Sequence, residues 1–172
     1  MLNSFWIGLS YDFITNLSEF SLSNYDTILV FVDRLIKMSY FISYYKMTIA
    51  LQFAELFIKN IIRFHSLPDS IVSDCSTIFT SLFWKTLADN LSINCNLSTV
   101  FHPQTDSQTE HMNQILEQYL RLYYNYQQDN WYKLLLLVEF VYNNTYQDTT
   151  KASPFFINYG YQALSGCISK IL

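Results

Sequence analysis

Glycine, proline and charge are all scarce in this sequence. Its 172 residues include only three glycines and three prolines, which excludes collagen-like and linker-like chains. Charged residues make up 14% of the chain, against about 25% in typical soluble domains, while apolar residues make up 51%. Because this much apolar surface can offset the entropy lost on ordering, we expect one folded domain with a substantial core rather than disorder.

Metal-binding patterns of cysteine and histidine are also missing. The three cysteines, Cys75, Cys95 and Cys167, lie far apart and form no CxxC pair, and the three histidines form no HxxxH pair. This spacing gives no support to a zinc finger. The net charge of -4 and the lack of any run of four basic residues weigh against strong nonspecific binding to nucleic acid, which needs clustered lysine and arginine.

Membrane-spanning and secretory patterns are absent from the sequence as well. The longest apolar runs cover residues 28–32 and 134–138, far short of the roughly 20 residues that cross a bilayer. No basic residue precedes Arg34, so the beginning of the chain lacks the charged region of a signal peptide. We therefore expect a soluble intracellular chain with reduced thiols and no membrane partner.

The first part of the sequence has patterns typical of β-strands, and a pattern typical of a helix follows them. Runs of β-branched and apolar residues predict strands at 5–14, 25–33 and 38–44, arranged as an antiparallel meander. The period then changes, and a helix is predicted over 48–65. Its predicted apolar face consists of Phe53, Leu56, Phe57, Ile61 and Phe64.

Strands and helices alternate over the rest of the chain. We predict strands at 70–74 and 93–97, and between them a helix at 79–90 with Phe83, Leu87 and Leu91 on one face. A polar segment at 101–108 precedes predicted helices at 108–126, from 129 through 141, and from Ser153–Pro154 onward. This order predicts an α/β domain with a mixed five-stranded sheet and helices on both faces.

Three acidic residues occupy notable places in this predicted scaffold. Asp12 lies within the first strand, Asp74 ends the fourth, and Glu110 begins the long helix, with thirty-five residues between Asp74 and Glu110. If they meet at one edge of the sheet, their oxygen atoms suit Mg²⁺ or Mn²⁺. Two such ions about 4 Å apart activate a nucleophile and stabilise the leaving oxygen of a phosphodiester.

Each acid also has a purely structural interpretation, which spacing alone leaves open. Asp74 is typical of a residue that begins a turn. Glu110 fits a capping box with Ser107, in which the glutamate side chain reaches back to the serine N–H. Asp12 is the hardest to explain in this way, because a carboxylate in the middle of an apolar strand is unfavourable unless it has a partner.

The residues around these acids resemble the integrase catalytic core of gypsy-type LTR retrotransposons. The resemblance runs from about Trp6 to Tyr161. The matching segments are residues 12–14 around the first acid, 25–38, 67–74 ending in the second acid, 102–110 ending in the third, Trp131, 139–144 and 153–156. The resemblance implies a ribonuclease H-like fold, with the catalytic core at 1–162 and a tail at 163–172.

The same resemblance implies an enzyme, a metal-dependent polynucleotidyl transferase. Asp12, Asp74 and Glu110 would be both its catalytic residues and its ligands for two Mg²⁺ or Mn²⁺ ions. The reactions implied are trimming of a DNA 3′ end and joining of that end to a target, with no small-molecule substrate. The residues implied to contact DNA are His102, Gln104, Gln108, Asn113, Gln114 and Arg121. For the last three, plain solvation of a polar helix face is the alternative. A nuclear location and a second copy of the chain as partner follow from the resemblance alone.

The sequence departs from the family pattern at four positions. Cys75 and Ser76 stand where the family usually has Arg-Gly, Ser107 replaces a glycine, and His111 replaces an arginine. Losing two arginines removes charge that would contact phosphate. The alternative reading is therefore a non-catalytic, decayed or domesticated integrase relic that acts, if at all, as a binding module. Metal binding by the acids distinguishes the two readings.

Overall fold

A five-stranded mixed sheet organises the chain. The computed structural model describes residues 5–15, 25–45, 50–73, 81–97 and 131–163. The strands, in chain order β1 to β5, are Gly8–Ile14, Thr27–Asp33, Ser39–Tyr44, Ser70–Ser73 and Asn94–Leu97. Their order across the sheet is β3-β2-β1-β4-β5, so β1 lies in the middle. The first three strands are antiparallel, and β4 runs parallel to both β1 and β5.

The predicted antiparallel meander is confirmed, with a later start for β1. All seven residues of β2 are buried, as its near-continuous apolar sequence leads one to expect. The predicted first strand began at Phe5, but β1 begins at Gly8. The reason is a turn at Trp6, whose φ of 67° lies in the left-handed region and is incompatible with extended backbone.

Helices cover both faces of the sheet. On one face lie α1 (Ala50–Phe57), which continues through a π turn (Ile58–Ile62) into α2 (Arg63–His65), and α3 (Leu82–Asn90). On the other face lies α4 (Trp131–Asn144). The short α5 (Pro154–Tyr159) follows it in the chain, and its Ile157 packs against the core of the first face. The expected α/β layering, a mixed five-stranded sheet between helices, is therefore confirmed. No helix among the described residues is long and apolar enough to cross a membrane.

The two faces have different cores. The α1–α3 face buries a large aromatic cluster that includes Tyr11, Phe31, Phe53, Phe57 and Trp84. The α4 face buries a smaller cluster in which strand residues such as Val30 and Val32 meet four side chains of the helix. Those four are Trp131, Leu135, Val138 and Tyr142.

The π turn changes which side of its helix is buried. Phe57 and Ile61 are buried as predicted, but Phe64 is 60% exposed, so its predicted place on the apolar face is wrong. A π turn adds a residue to the helical period and thereby rotates everything after it. His65 consequently takes the inward position and stacks on Trp6, with 3.8 Å between ring centroids.

The interior face of α3 also differs from the prediction. Trp84 and Ala88 are its fully buried residues, whereas Leu87 and Leu91 pack only partly against the core. The Ser81 hydroxyl accepts a hydrogen bond from the Trp84 N–H at 3.2 Å and thus fixes where the helix begins. The side chain of Phe83 lies outside what the structure describes.

The last helix begins as predicted from Ser153–Pro154. The Ser153 hydroxyl accepts a hydrogen bond from the Phe156 N–H at 3.3 Å, and Pro154 occupies the first helical position. Gly160 ends the helix with a φ of 78°. The polar segment at 101–108, the helix predicted at 108–126 and most of the predicted tail lie outside the described residues. The domain boundary at 162 stays a prediction.

Candidate active site

Asp12 occupies the middle strand of the sheet. Its neighbours Tyr11 and Phe13 pack into the aromatic cluster, so by strand alternation the Asp12 side chain lies on the opposite, α4 face. Asp12 is half-buried, and its backbone pairs with Val30 of β2. The carboxylate Oδ1 accepts a hydrogen bond from the Phe13 N–H at 2.8 Å. The strand therefore holds an orientated carboxylate near its carboxyl end.

The neighbouring strand β4 ends beside this position. It runs parallel to β1, with Leu9 opposite Ile71 and Ser10 opposite Val72. Parallel neighbours bring their carboxyl ends to the same edge of a sheet. The last residue of β4 is Ser73, and Asp74 follows it directly in the sequence.

The other predicted site residues lie outside the described part of the chain. These are the two acids Asp74 and Glu110 and the predicted DNA contacts His102, Gln104, Gln108, Asn113, Gln114 and Arg121. The departures at Cys75, Ser76, Ser107 and His111 lie outside it too. Of the predicted triad, the structure thus places Asp12 alone.

A metal centre is not assembled by the described residues themselves. Within these ranges, no group of three or more histidine, cysteine, aspartate or glutamate side chains is close enough to hold an ion. Two of the three predicted ligands fall outside the ranges. Asp12 does fit the expectation chemically, because a carboxylate on a rigid strand is the hard oxygen ligand that Mg²⁺ and Mn²⁺ take.

Glu139 is a partly buried acid whose role the sequence did not predict. Its Oε2 accepts a hydrogen bond from the Phe41 N–H at 2.9 Å, on the outer side of the edge strand β3. Burial raises the pKa of Glu139 to about 7, although the hydrogen bond from Phe41 works in the opposite direction. The sequence signal that could have indicated this role is spacing, because Leu135, Glu139 and Asn143 follow one another at intervals of four and so share one face of α4.

Asn143 completes this contact between α4 and the sheet edge. Its Oδ1 accepts a hydrogen bond from the Ser39 N–H at 2.9 Å, and its Nδ2 donates to the Ser39 carbonyl at 2.8 Å. Asn143 is itself buried. Both residues satisfy backbone groups of an edge strand, so they position α4 over the sheet and are not part of the Asp12 site.

A second polar cluster lies at the opposite end of β1. The His65 Nε2 and the Tyr40 hydroxyl are 2.8 Å apart, and the Trp6 Nε1 donates to the Asn158 Oδ1 at 3.1 Å. Burial lowers the pKa of His65 to about 4 and is the main cause of a raised pKa at Tyr40. A neutral histidine between two aromatic rings joins α2, β3 and the start of β1, which is a structural role.

Comparison with known proteins identifies sequence relatives among transposons. No protein-family model matches the chain. The Tf2-3 and Tf2-4 transposon polyproteins of Schizosaccharomyces pombe are each 36% identical to it over 156 residues, or 91% of the chain. The chain spans only 12% of the length of each of these polyproteins.

Comparison of structures points to retroviral proteins. The chain matches the HTLV-2 integrase catalytic core domain, solved in complex with magnesium in a trimeric form, with a TM-score of 0.63 and 15% identity over 90% of this chain and 97% of that one. It also matches a chain in the simian T-cell lymphotropic virus intasome bound to the PP2A regulatory subunit B56 gamma. There the TM-score is 0.73 and the identity 16%, over 92% of this chain and 56% of that one.

Proposed function

Because the chain is homologous to a segment of the Tf2 transposon polyproteins and has the ribonuclease H-like fold of the retroviral integrase core, we propose that it is a catalytic integrase domain. The resemblance read from the sequence is confirmed as homology to the Tf2 polyproteins and as the fold of integrase cores, and the catalytic activity is our proposal. The proposed activity is DNA integration, by trimming of a 3′ end and transfer of that end to a target phosphodiester. The proposed partners are the ends of the element and target DNA, and the proposed location is the nucleus.

The observation that best supports this proposal is the register between β1 and β4. Ser10 lies opposite Val72, so the same register continued by two residues would set Asp74 beside Asp12. Residues opposite each other on parallel strands have side chains on the same face and Cα atoms about 4.8 Å apart. Such a pair of carboxylates would share metal ions, and Glu110 would complete the triad.

The proposed site would work mainly by positioning. Asp12, Asp74 and Glu110 would hold Mg²⁺ or Mn²⁺, which when bound supplies charge stabilisation to the attacking and leaving oxygens. Asp12 would contribute a carboxylate fixed by the central strand and by the Phe13 N–H, so little reorganisation would be needed. His102, Gln104, Gln108, Asn113, Gln114 and Arg121 would orient the DNA strand. A second copy of the chain is a proposed partner, since HTLV-2 integrase was solved as a trimer.

The first test is stabilisation of the folded chain by Mn²⁺. An ion at about 100 times its Kd adds roughly 2.7 kcal/mol to the free energy of unfolding. We expect this gain in the wild type and its loss in Asp12→Asn, Asp74→Asn and Glu110→Gln. Asp69→Asn is the matched control, because Asp69 is an exposed carboxylate at the other end of β4 and should leave the gain unchanged.

Two outcomes would contradict the enzyme proposal. One is a folded wild type that gains no stability at millimolar Mn²⁺, and the other is an equal gain in all the variants. Either outcome would favour the non-catalytic relic. A metal-stabilised wild type should then join strands on a branched DNA substrate, and hydrolysis without joining would indicate a nuclease of the same fold.

A further inference from the structure

A pocket opens between the carboxyl end of β3 and the helix α1. Its volume is about 320 Å³, within the usual range for sites that bind small ligands. The lining residues are Tyr25, Ser43, Tyr44, Tyr45, Gln52, Glu55, Leu56 and Lys59. None of the site residues predicted from the sequence is among them.

One wall of the pocket is aromatic and open to solvent. The rings of Tyr25 and Tyr45 lie 4.6 Å apart with an interplanar angle of 34°, and Tyr45 is 44% exposed. Tyr132 extends the group, 6.0 Å from Tyr25, and the Lys133 ammonium lies 5.6 Å from the Tyr132 ring. A paired, partly exposed ring surface with a nearby cation suits stacking by another flat ring whose backbone is anionic.

The opposite wall is the polar side of α1. Gln52, Glu55 and Lys59 follow one another at intervals of three and four, which places them on one face of the helix. All three are exposed. An amide and a carboxylate can bind the donors and acceptors on the edge of a nucleobase, and an ammonium can bind a phosphate. Lys59 belongs to the π turn, a distortion that is often found at functional sites.

The pocket lies at the same end of the sheet as the carboxyl end of β1. Ile14, near the end of β1, is opposite Ile28 of β2, and Ile28 is opposite Ser43 of β3. Ser43 lines the pocket. With neighbouring strands about 4.8 Å apart, Ser43 is only two strand spacings across the sheet from Ile14. The Asp12 side chain lies on the α4 face and α1 packs on the other face, so a DNA strand held near Asp12 would reach the pocket by crossing this end of the sheet.

We propose that this pocket binds an unpaired nucleobase of a DNA strand, stacked on Tyr45, with Gln52 and Glu55 at its edge and Lys59 at its phosphate. The proposal rests on the proposed function, because it takes DNA as the ligand. The pocket favours a base that has left its pair, since a cavity of this volume admits one ring system and not a duplex. An aromatic side chain of a peptide is the competing occupant.

The test is a comparison of two oligonucleotide duplexes without metal ions. One has a single unpaired 2-aminopurine at its end, and the other carries the same base fully paired. Stacking of one base contributes about 1–3 kcal/mol, so the unpaired form should bind roughly 5-fold to 150-fold more tightly, with quenching of its fluorescence. Tyr45→Ala should abolish this preference, and Tyr45→Phe should preserve it.

Leu51→Ala is the matched control, an exposed α1 residue that does not line the pocket. Unfolding curves will establish that Tyr45→Ala is folded, which its exposure leads us to expect. Equal affinity for the two duplexes, or a preference that survives in Tyr45→Ala, would overturn the proposal. So would binding of an aromatic peptide that the unpaired oligonucleotide cannot displace.

The design separates this proposal from the proposed function. Binding is measured without metal, and Asp12→Asn should retain the preference for the unpaired base. A preference without Mn²⁺ stabilisation would support the pocket and contradict the catalytic site. Mn²⁺ stabilisation without a preference for the unpaired base would support the catalytic site and contradict the pocket.

Discussion

The two faces of the central sheet are built on different principles. The α1–α3 face is held by large aromatic rings that pack edge to face, such as Phe53 and Trp84 at 5.0 Å. The α4 face combines a smaller apolar cluster with Glu139 and Asn143, which hydrogen-bond to the edge strand. The first face supplies bulk stability, whereas the second fixes the position of one helix. Asp12 lies on the second face, where polar groups are already accommodated.

The two faces also contain titratable groups with opposite shifts. Burial lowers the pKa of His65 on the aromatic face and raises the pKa of Glu139 on the α4 face. Both groups prefer their neutral form in the folded chain. Their effects on stability consequently oppose each other between about pH 4 and 7, so each must be measured through its own variant.

The largest expected effect tests the aromatic face. Phe53→Ala removes a fully buried ring from the centre of that cluster and should lower the free energy of unfolding by about 3–5 kcal/mol. Urea denaturation gives this value. Leu51→Ala, two residues earlier in the same helix and half exposed, should change it by less than about 0.5 kcal/mol. A loss at Phe53 below about 1 kcal/mol would mean that this face is not the main source of stability.

Next in size is the pH dependence caused by Glu139 on the other face. In the folded chain the pKa of Glu139 is about 7, above the ordinary 4.5, so the folded state binds this proton more tightly than the unfolded state does. The contribution of Glu139 to stability is therefore greatest below pH 4.5 and declines as the pH rises towards 7. Since one pKa unit corresponds to about 1.4 kcal/mol, the decline due to this group is of order 1–3 kcal/mol. Glu139→Gln keeps an acceptor for the Phe41 N–H and should lack that decline. The measurement is thermal unfolding of the wild type and of Glu139→Gln from pH 4.5 to 8. The same dependence of stability on pH in the two proteins would contradict the prediction.

The polar contact of Asn143 is expected to contribute a similar or smaller amount. Asn143→Ala leaves the Ser39 N–H and carbonyl without partners at a buried position, which costs about 1–3 kcal/mol. Faster hydrogen exchange at the Ser39 amide should accompany the loss. Asn144→Ala is the matched control, because Asn144 donates to the Phe140 carbonyl of its own helix. Similar losses in the two variants would show that the contact with β3 is not what stabilises α4.

The smallest expected effect is that of His65, which should have the opposite sign. Its pKa of about 4 lies below the ordinary 6.5, so its contribution to stability increases as the pH rises from about 4 to 6.5. The ring is only half-buried, and solvent reduces the effect accordingly. His65→Gln should therefore flatten the rise on the acidic side of the stability curve. If the stability of His65→Gln still rises between about pH 4 and 6.5 as in the wild type, groups other than His65 cause that rise.

Local sequence patterns sufficed for the strands but not for helix orientation. The run of apolar residues in β2 and the turn around Arg34 and Lys37 specify the meander through neighbours alone. Phe64 failed as a core prediction because a π turn upstream rotated the helix, and a pattern with a fixed period cannot anticipate that rotation. The predicted face of α3 omitted Trp84, which is buried there, and the cap at Ser81 fixes where that helix begins.

At the candidate site, too, one feature could be predicted from the sequence and others depend on the fold. Asp12 stood out in the sequence because an isolated carboxylate in an apolar strand requires an explanation. The role of Glu139 depends on Phe41, ninety-eight positions away, and no local pattern carries that information. The proposed pairing of Asp12 with Asp74 extends the parallel register of β1 and β4, which only the fold supplies.

The covered edge of β3 bears on how copies of this protein can aggregate. An exposed edge strand is a template on which a second molecule can add its own strand, and this is a common route to fibrils. At Ser39 and Phe41, α4 already occupies the outward N–H groups that such a strand would need. The other edge strand, β5, is only four residues long. Loosening α4 would therefore do more than destabilise the fold, because it would uncover the longer of the two edges and make the chain prone to fibril formation.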